Sequence, residues 1–253
     1  MKNFKIKLAY DGSKYKGWQV QNSTSDTIQG KLENILLKLT GSPVDVIGSG
    51  RTDAGVHAMG QIANFHIELA DDMSPDQLME YINRYLPEDI AVLSLKEVDE
   101  RFHARFSANS KTYRYRIHTS KIPNVFERKY VYSYLDAKLD PDLMKEAAEH
   151  LLGKHDFKAF CGNKHMKKST VRTLIDIKIE AIYDQYGLKE VLIDYTGDGF
   201  LQNMIRILTG TLIEVGNGRI SKDAIPAILN SKDRAQAGFT APACGLCLMD
   251  VYY

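Results

Sequence analysis

Gly48-Ser49-Gly50-Arg51-Thr52-Asp53-Ala54-Gly55-Val56-His57-Ala58 forms a polar, glycine-rich loop between two apolar runs, Val44 to Ile47 and Met59 to Ile67. Both runs carry enough β-branched residues to read as strands. Asn-Gly or Asp-Gly alone would reverse the chain. This loop instead gathers a cation, a hydroxyl, a carboxylate and an imidazole around its glycines, which let the backbone take positive φ and approach a ligand closely. Two readings follow from the residues alone. The loop presents Asp53 and Arg51 to a ligand, or it is a long hairpin loop with a structural Asx turn.

Outward from this hairpin the pattern is regular. Lys5 to Tyr10 alternates as a strand, and Asp26 with Gln29 three residues on reads as a capping box. Ile28, Leu32, Ile35, Leu36 and Leu39 mark one helical stripe that Gly41 closes. After the hairpin, Ser74-Pro75-Asp76-Gln77 opens a second helix, with Leu78, Ile82, Tyr85 and Leu86 on its buried face. Asp89 to Val98 returns to strand, completing β-α-β-β-α-β. The rest of the chain spells the same order: a strand over Lys111 to His118, then a helix from Asp140-Pro141 with a Leu143, Ala147, Leu151 stripe ending at Gly153. A hairpin, Arg172 to Ile182 and Glu190 to Tyr195, turns at Asp184 to Gly187. Helices over Phe200 to Val215 and Lys222 to Asn230 precede a last strand, Leu246 to Tyr252. The expected fold is α+β, two ferredoxin-like halves with antiparallel sheets side by side, helices on the sheets and a cleft between the halves. The halves are 1–105, carrying the loop, and 106–253.

The 253 residues are 44% apolar and 26% charged, as in an ordinary globular protein. No apolar run approaches the roughly 18 residues a membrane span needs. The start, Met-Lys-Asn-Phe-Lys-Ile-Lys-Leu, enters a strand pattern without a signal-peptide apolar region, so the expected location is cytoplasmic. Cys161, Cys244 and Cys247 are too few for a disulfide scaffold. Cys244-Gly-Leu-Cys247 is half a zinc site, a redox pair, or two small residues packed in a strand; with no second ligand pair, no metal is expected. Net charge is only +1, but it is segregated. Arg101, His103 and Arg105, then Lys111, Arg114 and Arg116, then Lys164, Lys167, Lys168 and Arg172 cluster, while acids gather at Asp71-Asp72 and Glu97 to Glu100. Such clusters are solvated faces or a groove for phosphates.

Arg206 lies in Phe200-Leu-Gln-Asn-Met-Ile-Arg-Ile-Leu-Thr-Gly-Thr-Leu, a stretch too apolar to be anything but buried helix. A buried guanidinium needs an anion: Asp53, an RNA phosphate, or a structural acid such as Asp194 or Asp198. Tyr113 and Tyr115 alternate with Arg114 and Arg116, so the tyrosines share one strand face, as core or as a platform for bases.

Together these blocks resemble the tRNA pseudouridine synthase A family. The resemblance rests on Gly50 to His57 (GRTDAGVH), Tyr10 to Gln19 (YDGSKYKGWQ), Phe102 to Ala108 (FHARFSA), Tyr113-Arg114-Tyr115, and Phe200 with Met204, Arg206 and Gly210. It implies Asp53 as the catalytic residue, Tyr113 against the target base and Arg206 paired with the aspartate. It also implies a homodimer acting, without metal or organic cofactor, on uridines 38, 39 and 40 of the tRNA anticodon stem-loop. Arg51, His57, Arg105, Lys167 and Lys168 are the further candidates for substrate contact. Relatives sharing this core act on other structured RNAs. The rival class is a non-catalytic RNA binder of two RRM-like halves, but MGQIANFHI lacks the RRM strand signature. A hydrolase using Asp53 would need a positioned acid or a metal cluster.

Overall fold

A computed structural model describes residues 1–69, 73–135, 138–163 and 165–253. Asp71, Asp72 and Lys164 of the charge clusters lie outside the described residues. The chain packs as two units, Met1–Asn109 with Cys247–Tyr253, and Ser110–Leu246. The first holds β1 (Lys2–Tyr10), α1 (Ile28–Thr40), β2 (Ile47–Gly48), β3 (His57–Ile67), α2 (Pro75–Tyr85) and β4 (Ile90–Val98). The second holds β5 (Ser110–His118), β6 (Tyr132–Ser133), α3 (Pro141–Glu149), β7 (Gly153–Asp156), β8 (Val171–Asp184), β9 (Gly187–Gly197), α4 (Met204–Gly216) and α5 (Ile225–Ser231). The chain ends in β10 (Leu246–Tyr252), whose residues from Cys247 return to the first unit.

In the first unit β1 pairs antiparallel with β3 and with β4, and β10 runs parallel to β3 with Cys247 opposite His57. The alternation of β1 puts Phe4, Ile6, Leu8 and Tyr10 inside, with Phe4 opposite Phe65 of β3. Ile28, Leu32 and Leu36 of α1 and Leu78 and Ile82 of α2 complete the core. Gly41 ends α1 at φ 72, donating to Leu37 O, and Ser74 and Gln77 close the reciprocal capping box on α2. Two local expectations are corrected. The cap of α1 is Thr27, whose side chain accepts Gly30 N–H, because Asp26 turns to an ion pair with Lys31 and Gln29 accepts Val20 N–H. The strand before the loop is only Ile47–Gly48. Pro43 has no N–H to give a ladder, and Val46 donates its own to the Glu33 carboxylate.

In the second unit β5, β9, β8 and β7 stand in that order, antiparallel throughout, and β6 lies parallel to β5. Here α4 begins at Met204, not at Phe200, because Asn203 sits in the left-handed region at φ 58 and breaks the run. The stretch expected as one helix over 222–230 is a 3-10 turn, Lys222–Ala224, followed by α5; Pro226 is tolerated only in a helix's first turn. The buried face of α3 is Met144, Ala147 and Ala148 rather than a line through Leu143. Met144 packs on α4 at Gly216, where an added Cβ would come within 2.8 Å of Met144 Cγ. Among the described residues no helix is long and apolar enough to cross a membrane.

Candidate active site

The loop of the first unit is a tethered structure. Asp53 C=O accepts Val56 N–H at 3.1 Å, closing a turn in which Gly55 takes φ 79. Behind it runs the segment Tyr10 to Trp18. Tyr10 Oη and Thr52 Oγ1 are hydrogen-bonded at 2.9 Å in a buried setting, and Trp18 N–H donates to Thr52 C=O at 3.1 Å. Thr52, next to Asp53, is therefore held by both side chain and backbone. The segment comes so close that only glycine fits at two points. A Cβ on Gly12 would stand 2.0 Å from Val56 O, and one on Gly17, at φ 94, would stand 2.7 Å from Thr52 O. On the other arm of the loop, Ser49 Oγ donates to Gln61 Oε1 at 2.7 Å, and Gln61 Nε2 donates to Gly50 C=O at 3.1 Å. Asp53 itself is half-buried and Arg51 is exposed.

His57, 5% exposed, faces this scaffold. Its Nδ1 lies 3.1 Å from Gly12 N–H and 3.2 Å from Asp11 Oδ1. The two contacts need different forms of the ring: a bare Nδ1 accepts from Gly12, and a protonated Nδ1, in the other neutral tautomer or in the imidazolium, donates to Asp11. In either state it ties the start of β3 to the Tyr10–Trp18 segment. Removing one hydroxyl tests how far the tethers matter. Tyr10→Phe, which leaves Thr52 Oγ1 without this bond, is expected to cost about 1 kcal/mol of stability by denaturant melt. A variant that melts with the wild-type protein would show that this bond adds nothing to the anchoring of the loop.

The Phe102 to Ser107 block makes a second fixed feature of the same unit. Asn3 Nδ2 donates to the Phe102 and Asp99 carbonyls, Asn64 Nδ2 donates to Asn3 Oδ1, and Asn64 Oδ1 accepts Ala104 N–H at 2.8 Å. Tyr253 Oη donates to Ala104 C=O at 2.7 Å. His103 Nδ1 accepts the N–H groups of Arg105 and Phe106, and its ring stacks on Phe106 at 4.2 Å. The result is a rigid knuckle with Arg105 and Phe106 exposed at its tip.

In the second unit Tyr113 and Tyr115 share the inner face of β5, while Arg114 and Arg116 share the other. Arg114 binds Asp194 through two bonds of 2.7 and 2.8 Å, and Arg116 Nε donates to Glu190 at 2.5 Å. The tyrosines differ. Tyr115 is fully buried, donates to Pro242 C=O at 2.7 Å and packs on Gly245, where a Cβ would come within 2.7 Å of its ring. Burial pushes its hydroxyl far above the usual phenol range. Tyr113, 7% exposed, packs edge-on to Phe200 with ring centroids 5.3 Å apart. Phe200 lies there because the chain before Asn203 is not helical. Arg206, on the first turn of α4, is half-buried; its Nε donates to Ala241 C=O at 2.7 Å and its Nη1 to Asn203 Oδ1 at 2.9 Å. Of the two acids considered as structural partners for it, Asp194 is clamped by Arg114, and Asp198 accepts Thr173 N–H. Lys167 and Lys168 are exposed. Cys244 Sγ donates to Val131 C=O at 3.5 Å and Cys247 Sγ to Leu248 C=O at 3.7 Å, and burial pushes Cys244 above its usual range.

The family model for tRNA pseudouridine synthase matches residues 7–107 and 147–253. Full-length relatives agree. A tRNA pseudouridine synthase A of Bacillus sp. (strain KSM-64) is 44% identical over the whole of both chains. A tRNA pseudouridine synthase A 1 of Clostridium tetani is 47% identical, and a tRNA pseudouridine synthase A of Acetivibrio thermocellus 45%, again over the whole of both chains. The chain belongs to the tRNA pseudouridine synthase family. The family spans take in the tethered loop, the knuckle and α4, while Tyr113 and Tyr115 lie between them. The tethers of Tyr10, Gly12, Gly17 and Asn64, and the Phe200 contact, were not assigned from sequence as parts of a site. The YDGSKYKGW string, with two glycines beside aromatics, was the available signal for the first three.

Proposed function

We propose that this protein isomerises uridine to pseudouridine in tRNA, at positions 38, 39 and 40 of the anticodon stem-loop, with Asp53 as the catalytic carboxylate. The observation that carries this reading is the double anchoring of Thr52, which holds Asp53 in a loop too constrained to serve merely as a turn. The reaction breaks the N1–C1′ bond, turns the base and joins C5 to C1′; the C5 proton leaves and N1 regains one. A carboxylate begins this as a nucleophile at the sugar or as a base at C2′, and both roles need it ionised. Arg206 is the partner that keeps it so. The Tyr113 ring, backed by Phe200, holds the loosened uracil as it turns, and its hydroxyl assists removal of the C5 proton. The target base must first leave its stack, at a cost of a few kcal/mol. Arg51 and Arg105 engage the backbone around it, and His57 positions the loop.

Two ferredoxin-like halves, 1–105 and 106–253, are the architecture we read behind this chemistry, in a cytoplasmic homodimer that uses no cofactor. The experiment that tests the function is tritium release from C5-labelled uridine in tRNA. A non-catalytic binder would release none. Binding should weaken steeply with salt as phosphate contacts release counterions. Lys167→Ala with Lys168→Ala is expected to lower that slope by roughly two if both touch phosphate. An unchanged slope in filter binding would place them on a solvated face.

A further inference from the structure

Residues 119–131 connect β5 to β6 in the second unit and take no part in the site described above. Ile122, Val125 and Phe126 stand there 56, 60 and 93% exposed. A lone exposed apolar side chain is ordinary, but these share one short loop whose backbone is pinned. His118 Nε2 lies 2.8 Å from Ile122 C=O, and Ser120 Oγ accepts Ile122 N–H at 3.2 Å. Asn124 bonds Glu127 twice, from its Nδ2 to the carboxylate and from Glu127 N–H to its Oδ1. Arg116 donates two more bonds to that carboxylate, at 2.9 and 3.1 Å, and holds it down to about 2. The apolar tip is thus presented with little conformational freedom left to lose on binding.

Charge decides the partner. Lys121, Arg128 and Lys129 are exposed around the tip, and the one acid, Glu127, is already engaged by Arg116. A symmetric contact between two copies sets the same face against itself, which would bring these cations together. A polyanion with exposed aromatic faces fits instead. We propose that this loop is a second RNA contact, in which an unstacked base lies on the Phe126 ring while Lys121, Arg128 and Lys129 engage the neighbouring phosphates. The inference rests on the reading that tRNA is the substrate. The loop starts at the end of β5, five residues and therefore roughly 17 Å along the strand from Tyr113. It accordingly touches RNA beyond the target nucleotide.

The test is tRNA affinity measured by fluorescence anisotropy at several salt concentrations. Phe126→Ala should weaken binding about tenfold, within the range for removing one stacked base, without changing the salt slope. Phe126→Trp should restore affinity. Arg128→Ala with Lys129→Ala should reduce the slope by about two. The loss should fall on KM rather than kcat. Because Phe126 is exposed, its thermal midpoint should not move. Affinity of Phe126→Ala within twofold of wild type overturns the proposal. So does loss of self-association in sedimentation at unchanged affinity, which would make the loop a contact between copies. Tritium release by the wild-type chain reports on the isomerase reading separately, so failure of one is not failure of the other.

Discussion

Asp53→Asn is expected to leave less than about 1% of the wild-type rate of pseudouridine formation while tRNA affinity stays within a few-fold. The substitution is nearly isosteric, and what it removes is a group able to attack the sugar or take a proton. The turn survives it, because the bond that closes the turn is accepted by the Asp53 backbone carbonyl, not by the carboxylate. The anchors of the loop, Tyr10 on Thr52 and Gln61 on Gly50, do not involve the carboxylate either. A folded, RNA-binding but inactive protein is therefore the specific outcome. It is read by tritium release alongside a binding isotherm and a melting curve. Turnover above about 1% would remove Asp53 from the catalytic role, whereas a collapse of affinity or stability would make it a binding or structural residue.

Much of this architecture is legible from local rules. Ser74 with Gln77, Asp140 before Pro141 and Gly41 after the α1 stripe mark helix ends because each satisfies backbone groups within a few residues. The alternation of Lys5 to Tyr10 and of Tyr113 to Arg116 reports which side of a strand is buried. What could not be read depends on groups far apart in sequence. Asp26 and Thr27 both suit a cap, and the choice fell to Thr27 once Lys31 claimed the aspartate. Phe200 to Gln202 continues the apolar pattern of α4, yet Asn203 takes a left-handed conformation that propensity does not announce. Strands β6 and β7 are too short to show a period. In the site, the GRTDAGVHA string was visible as unusual. Its support by Tyr10, Gly12 and Gly17 needs the close approach of another segment, for which the glycines were the only local trace. Arg206 was expected to need a counter-anion, and two of its five N–H donors are met by Ala241 C=O and Asn203 Oδ1.

Arg206→Lys is expected to lower the rate about ten- to a hundredfold, and Arg206→Ala to lower it further. Lysine keeps the charge but loses the planar fork that can hold a carboxylate at two points, a difference on the scale of about 1–3 kcal/mol for charge-assisted bonds. The alanine variant carries a second loss. Arg206 Nε donates to the carbonyl of Ala241, which is fully buried, so removing the guanidinium strips a buried acceptor of that donor. That alone should cost about 1–3 kcal/mol of stability, whether or not Asp53 is the anion. Single variants therefore cannot tell an Asp53 partner from a structural tie to the Ala241 segment, and a double-mutant cycle on folding stability with Asp53→Asn and Arg206→Ala can. If the two side chains pair, the Ala241 contribution appears equally in both Arg206→Ala arms and cancels, leaving a coupling above about half a kcal/mol. Additive effects would assign Arg206 to the α4–Ala241 contact alone and leave the charge of Asp53 to be held by another group.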